Sequence, residues 1–193
     1  MNTEINQAIK LFVKTLEQLN VPYYIGGSIA SSVYGIARAT MDVGLVSELK
    51  SEHVKFLVQT LSKDYFIDEE MILDAIKNKS SFNLIHLGTM IKIDVFISGE
   101  SKFLKKVFER KRKDSISDEP DSVQVFLSSA EDTILNKLEW YKSGGSVSDM
   151  QWKDILGIIK VQGELLDKNY LRQWAEELEL SDLLKKALLE GKI

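Results

Sequence analysis

The chain has 193 residues, 44% apolar and 28% charged, with a net charge of −4; that composition fits a folded globular chain and excludes disorder or low complexity along its whole length. The length suits one packed domain, or a mixed core with a smaller helical companion. With no cysteine and only His53 and His86, disulfides, thiolate zinc and a cysteine nucleophile are excluded and histidine-based centres are disfavoured, which leaves carboxylates, lysine, arginine, hydroxyls and backbone amides to carry any chemistry.

In chain order, Thr3 to Asn20 reads as a helix, with Ile5, Ile9, Phe12, Leu16 and Leu19 near helical spacing and Asn20 suited to its end. Met1 to Leu19 is amphipathic and charged, unlike a signal peptide, and no apolar run approaches the roughly 20 residues that span a bilayer; a cytoplasmic location without membrane partners is expected. Pro22 enforces an extended entry into a short strand, Tyr23 to Ile25, which ends at Gly26-Gly27. Ser28 follows as an N-cap for a helix over Ile29 to Tyr34 that stops at Gly35. Met41 to Val46 reads as a strand and Ser51 to Ser62 as a helix. Phe82 to Leu87, Gly88 and Met90 to Ile97 form a hairpin, whose second arm puts Lys92, Asp94 and Phe96 on one face and Ile91, Ile93, Val95 and Ile97 on the other. A charged helix is expected from Ser101 to Lys113 and a strand from Val123 to Leu127. Beyond them the pattern is helical: Ser129 to Lys142 opening on a capping-box-like Ser129-Ala130-Glu131-Asp132, then Asp149 to Gln162 after a Gly144-Gly145-Ser146 linker, Lys168 to Glu177, and Ser181 to Leu189. The expected architecture is α/β (α+β), a small mixed sheet flanked by helices over residues 1–128, with a helical C-terminal region, 129–193, packed on it.

The informative segment is Gly26-Gly27-Ser28, then Tyr34-Gly35, then Arg38 to Val46. A strand that ends in glycines and hands over to a helix N-terminus lets backbone amides approach a phosphate, with the helix dipole favouring the anion; the same tripeptide is also a common turn. Asp42 opens one strand and Asp94 sits inside another. A carboxylate in an apolar β segment either binds a cation, faces water at an edge, or is paired, with Lys92 and Arg38 as the nearby partners.

Gly-Gly-Ser, nine residues to Arg38, Thr40, then Asp42 before an apolar strand resembles the motif of the DNA polymerase beta-like nucleotidyltransferase superfamily. The resemblance implies that fold, a Gly-Ser turn that grips a triphosphate, and an Asp-x-Asp pair with a third carboxylate from a neighbouring strand holding Mg²⁺ (or Mn²⁺) for in-line transfer of a nucleoside monophosphate. It maps the turn to Gly26, Gly27 and Ser28, the first metal aspartate to Asp42 and the third carboxylate to Asp94; Arg38 is grouped with the nucleotide-binding residues. Glu131-Asp132, Lys137-Leu138-Glu139, Gly144-Gly145 and Trp152-Lys153-Asp154 further resemble the helical half of the minimal and abortive-infection (AbiEii-type) members, where a helix lysine contacts the nucleotide; Lys137 and Asp154 match, and an inter-helix ion pair is the alternative reading of both.

Gly44 departs from the motif, because the second carboxylate of Asp-x-Asp should stand there and share the face of Asp42. Glu48, past the strand end, is a poor substitute. The expected activity is therefore Mg²⁺-dependent transfer from an NTP to a small molecule, RNA or protein acceptor, weakened at Gly44, and the alternative is an impaired nucleotide- or partner-binding protein, with a toxin-antitoxin role resting on analogy alone. The basic run Lys105 to Lys113 reads as a solvated helix face rather than a nucleic-acid contact.

Overall fold

A computed structural model describes residues 2–116 and 122–192. In chain order its elements are α1 (Asn2–Gln18), β1 (Tyr23–Ile25), α2 (Gly27–Tyr34), β2 (Asp42–Ser47), α3 (Ser51–Leu61), β3 (Tyr65–Phe66), α4 (Glu69–Asn78), β4 (Ser81–His86), β5 (Lys92–Ile97), α5 (Lys102–Arg110), β6 (Arg112–Ser115), β7 (Gln124–Leu127), α6 (Ala130–Ser143), α7 (Asp149–Gln162), a 3₁₀ turn (Gly163–Leu165), α8 (Lys168–Glu177) and α9 (Ser181–Gly191).

Among the described residues the strands form one mixed sheet in the order β3-β4-β5-β2-β1-β7-β6. β2 runs parallel to β5, and β1 parallel to β7, while the other neighbours are antiparallel. The register sets Asp42 beside Lys92 and Gly44 beside Asp94. Alternation does the rest: Val43, Leu45, Ile93 and Val95 are buried on one face, so Asp42, Gly44, Lys92 and Asp94 share the other.

The two faces build separate cores. Against the first pack α1, α3 and α4, with Phe12, Leu16, Leu45, Leu57, Leu84 and Val95 in one buried cluster. The second unites α5 to α9 through Ile134, Leu138, Ile155, Ile158 and Leu171. β1 divides between them, Tyr23 and Ile25 entering the first cluster and Tyr24 the second, as a strand with period two must when both its faces are covered.

Three sequence expectations change. Gly26, not Ser28, stands at the N-cap of α2, with no side-chain cap bond, and the helix begins at Gly27; Gly27 takes φ +56°, left-handed backbone that glycine adopts without a Cβ clash. The stretch from 63 to 80, left unassigned by the sequence pattern, contains β3 and α4, whose N-cap Asp68 accepts from the Met71 amide at 2.8 Å. The charged helix ends at Arg110 instead of Lys113: Lys111 leaves helical geometry at φ −54°, ψ 142°, and Arg112 to Ser115 pair with β7 as an edge strand. Charged residues there discourage further strand pairing.

The basic run is accordingly not one continuous face. Lys106 pairs with Glu109 at 2.8 Å, Arg110 with Glu131 at 2.9 Å, and the Lys111 ammonium lies over the rings of Phe108 and Phe126. Arg110 belongs to a buried polar knot at the start of α6. Its guanidinium stacks 3.9 Å from the Tyr170 ring centroid, the Tyr170 hydroxyl donates to Asp132 Oδ1 at 2.6 Å, and Glu131 accepts from the Asp167 amide at 3.0 Å. Burial pushes the Asp132 carboxyl above its ordinary value, against the pull of Tyr170, Ser129 and Arg110. Glu131 and Asp132, part of the helical-half motif, thus tie α5, α6 and α8 together.

α2 also lies close against α7. A Cβ on Gly35 would come within 2.7 Å of the Ile158 amide nitrogen and 2.9 Å of the Gly157 carbonyl carbon. Both are backbone atoms, so neither can swing aside. Gly35→Ala should lower the unfolding free energy by about 1–3 kcal/mol, measured by chemical denaturation; an unchanged midpoint and slope would show that the two helices can separate freely.

Candidate active site

Where β1 gives way to α2, the chain opens into a cleft of about 430 Å³. Gly26, Gly27 and Ser28 form one edge; Asp42, Gly44 and Asp94 line it from the sheet; Asn136, Lys137 and Trp140 of α6 and Gln151 of α7 line it from the helices. The turn is pinned by the Gly26 amide, which donates to the Gly44 carbonyl at 3.0 Å. That bond continues the β1–β2 ladder by one residue and aims the first turn of α2 at the cleft, where helix amides and dipole favour an anion.

The cations on this side converge on one carboxylate. Arg38 donates from Nε to Asp154 Oδ1 at 2.9 Å and from Nη2 to Oδ2 at 3.1 Å, a bidentate fork. The same Nη2 donates to the Ser28 hydroxyl at 2.7 Å. Lys137 Nζ donates to Asp154 Oδ2 at 2.9 Å and to Gln151 Oε1 at 2.8 Å. Burial tends to raise the Asp154 carboxyl, but the bonds from Arg38 and Lys137 outweigh it and hold it below the usual aspartate range. For Lys137 burial dominates and pushes the ammonium down, with Asp154 pulling the other way. Asp154, grouped by sequence with the nucleotide-binding residues, is therefore the counter-ion of both cations. The inter-helix ion pair is real, and Lys137 lines the cleft while engaged in it.

Across the cleft, Asp42 is exposed and its Oδ1 accepts from the Thr40 hydroxyl at 2.6 Å. Asp94 Oδ2 is paired with Lys92 Nζ at 3.0 Å. Between them Gly44 offers no side chain, and a Cβ built there meets nothing within 4 Å. Glu48 falls outside β2 and is an exposed residue. No group of three or more His, Cys, Asp or Glu able to hold a metal ion occurs among the described residues. Two ions about 3.5–4 Å apart need bridging carboxylates, and here each carboxylate already has one oxygen engaged. The donor set fits one Mg²⁺, which accepts one or two carboxylates and completes its shell with water and phosphate oxygens; it does not fit two.

Several lining residues escaped the sequence reading. Phe96 shares the strand face of Asp94, and its ring meets Trp140 edge-on with centroids 5.8 Å apart. Trp140 stands three residues after Lys137, and Gln151 three before Asp154, so helical spacing alone aligns each pair. His53 and His86 lie outside the cleft, His53 accepting from the Lys50 amide at 3.1 Å and His86 against Thr89 at 2.9 Å.

Comparison with solved structures places this architecture. The antibiotic-resistance factor ANT(2'')-Ia in solution superposes with a TM-score of 0.56 at 14% identity, covering 100% of this chain and 98% of its own. An antigenic nucleotidyltransferase-like protein from Paracoccidioides brasiliensis gives 0.54 at 17% identity over 93% and 89%. The lincosamide antibiotic adenylyltransferase LnuA, lincomycin-bound, gives 0.50 at 15% identity over 79% and 95%. No protein-family model and no curated protein matches the sequence. The chain has the nucleotidyltransferase fold.

Asp154→Asn keeps the shape but removes the charge shared by Arg38 and Lys137. It should cost about 3 kcal/mol of stability near neutral pH. Because the folded carboxyl sits below its unfolded value, its contribution is complete above the ordinary aspartate value near 4 and is lost as pH falls through the folded one. The gap between wild type and variant, followed by urea denaturation against pH, should therefore close on acidification; a gap that widens instead would reverse the sign assigned to Asp154.

Proposed function

We propose that this cleft binds a nucleoside triphosphate through its phosphates, and that transfer of the nucleoside monophosphate to an acceptor hydroxyl, with pyrophosphate leaving, is weak in this chain. The convergence of the Gly26-Gly27-Ser28 turn, Lys137 and the Asp42–Asp94 face on one cleft carries this reading. The α2 amides and the Ser28 hydroxyl receive phosphate oxygens, and Lys137 supplies a desolvated cation held in place by Asp154 and Gln151. Arg38 orients the Ser28 hydroxyl through its Nη2. Asp42 and Asp94 would hold one Mg²⁺ or Mn²⁺, which supplies Lewis-acid polarisation of a phosphoryl oxygen when bound.

The weakness follows from Gly44, where no carboxylate reaches the acceptor side of the cleft. Among the neighbours, ANT(2'')-Ia has been seen with adenylyl-2''-tobramycin, at a TM-score of 0.51 and 14% identity, and LnuA with lincomycin; a small hydroxylated molecule is accordingly the acceptor class to try first. Kinship to the minimal and AbiEii-type members rests on the sequence motifs. Gly44 favours a second reading as well, in which the same cleft holds nucleotide for binding or partner recognition without turnover.

Calorimetry with each NTP and Mg²⁺ at millimolar concentration tests the binding step. Heat is expected with at least one nucleotide, and Lys137→Gln should weaken it by roughly tenfold or more through loss of a charge-assisted bond; no heat with any nucleotide ends the reading. Open space around position 44 lets Gly44→Asp insert a carboxylate without a clash. That variant should bind Mn²⁺ more tightly and release pyrophosphate faster than the parent, whereas equal and robust turnover in both would show that position 44 is not the missing ligand.

A further inference from the structure

Lys92 is the one group on the carboxylate face that neither the phosphate turn nor the metal reading uses. It stands beside Asp42 in the β2–β5 register, two residues before Asp94 on the same face, and its ammonium lies 3.0 Å from Asp94 Oδ2. Asp42 is the carboxylate that opposes it on β2, and Gly44, which opposes Asp94, adds no second one. As an isolated surface pair, Lys92–Asp94 would contribute little to stability. Its location is what matters. Asp94 lines the cleft and is only 26% exposed at its side chain, while Lys92 is 47% exposed and meets the cleft through its contact with Asp94.

Two carboxylates and one ammonium leave the face with a single negative charge. One oxygen of Asp94 is held by Lys92, and one of Asp42 by Thr40, so a second ion bridged by Asp94 has to displace the ammonium. An ammonium and a divalent ion compete for the same oxygen, and the fixed ammonium repels the ion at short range.

We propose that Lys92 is a built-in cation that takes the place of one of two metal ions, so that the chain carries its nucleotide with a single divalent ion. The inference rests on the nucleotide-binding reading for its setting, but its primary test does not need nucleotide. Lys92 lowers the affinity of the face for a divalent ion. A carboxylate at position 44 tightens the one ion without admitting a second, because Asp94 stays committed to Lys92.

Mn²⁺ titration followed by electron paramagnetic resonance checks this on the intact chain, first without nucleotide. Lys92→Met should tighten Mn²⁺ by roughly tenfold, since removal of one positive charge a few ångströms from a divalent ion relieves a repulsion of that order. Lys92→Arg keeps the charge and should retain the weak binding of the parent. In the presence of a non-hydrolysable ATP analogue, the parent and Gly44→Asp should each take up one Mn²⁺ per chain, and Gly44→Asp combined with Lys92→Met should take up two. Melting curves verify that each variant is folded; Lys92 is half exposed, so none should lose its transition. The inference is overturned if Lys92→Met binds Mn²⁺ no better than the parent or not at all, if Lys92→Arg behaves like Lys92→Met, or if the parent takes up two ions. A tightened Mn²⁺ site in Lys92→Met together with no nucleotide heat would instead leave Lys92 as proposed and remove the nucleotide reading.

Discussion

The cleft depends on one carboxylate shared by two cations. Asp154 on α7 binds the guanidinium that follows α2 and the ammonium of α6 at once, so three chain segments, the first and last of them joined by residues 116 apart, are fixed by a single group. Asp154 and Lys137 are each about 5% exposed at their side chains, and a charge so placed is tolerated only when paired and fully hydrogen-bonded. Two cations on one carboxylate leave that cluster with an excess positive charge. The fork of Arg38 extends the effect to Ser28, whose hydroxyl accepts from Nη2 at 2.7 Å.

The opposite wall is set by strand alternation. Once Val43, Leu45, Ile93 and Val95 are committed to the core, the intervening residues can only face the cleft side, and a parallel register places them in rows across β2 and β5. Chemistry on that face is then a question of which side chains those positions carry. Position 44 carries none, and position 92 carries a cation. A single glycine in such a row removes a side chain without disturbing the ladder, since Gly44 still accepts from Gly26 through its backbone.

The elements that build this site were the most legible in the sequence, for a physical reason. Strand β5 shows clean alternation, β1 ends in a glycine pair, and α6, α7 and α8 begin with side-chain caps at Ser129, Ser148 and Asp167, all of them local signals. The parts that were not legible depend on distant partners. α5 was read too long because Arg112 to Ser115 have no strand periodicity of their own; they are exposed or half-buried charged and polar residues that become a strand by pairing with β7. α4 was passed over although Asp68, Ile72 and Ala75 carry a cap and a buried stripe, because its short, charge-rich sequence lacks a long apolar repeat. At the site, the aspartates were recognisable from their setting, but that Asp154 serves Arg38 as well as Lys137 could be seen only once α2, α6 and α7 were packed. The same holds for Trp140, which on its helix is an exposed aromatic and in the fold becomes the neighbour of Phe96.

Charge separation across the cleft restricts what can occupy it. On one side stand Arg38 and Lys137 against Asp154, a cluster of net positive charge beside a helix N-terminus, with the Glu139 carboxylate of α6 lining the cleft next to it. On the other stand Asp42 and Asp94 against Lys92, leaving a net negative wall. A bare anion drawn to the first wall meets repulsion at the second, and a bare cation meets the reverse. A ligand that is itself polarised, with an anionic chain toward α2 and a cation toward β2 and β5, satisfies both walls simultaneously. Desolvation sharpens this selection, because the buried Lys137 is less screened than a surface charge would be. A polyphosphate accompanied by one divalent ion has that arrangement, and Trp140 and Phe96 close the cleft with apolar surface suited to a ring rather than to further charge. The separation persists without a carboxylate at position 44, so on the proposed reading recognition of a metal–nucleotide pair and transfer from it would rest on different residues of the same face.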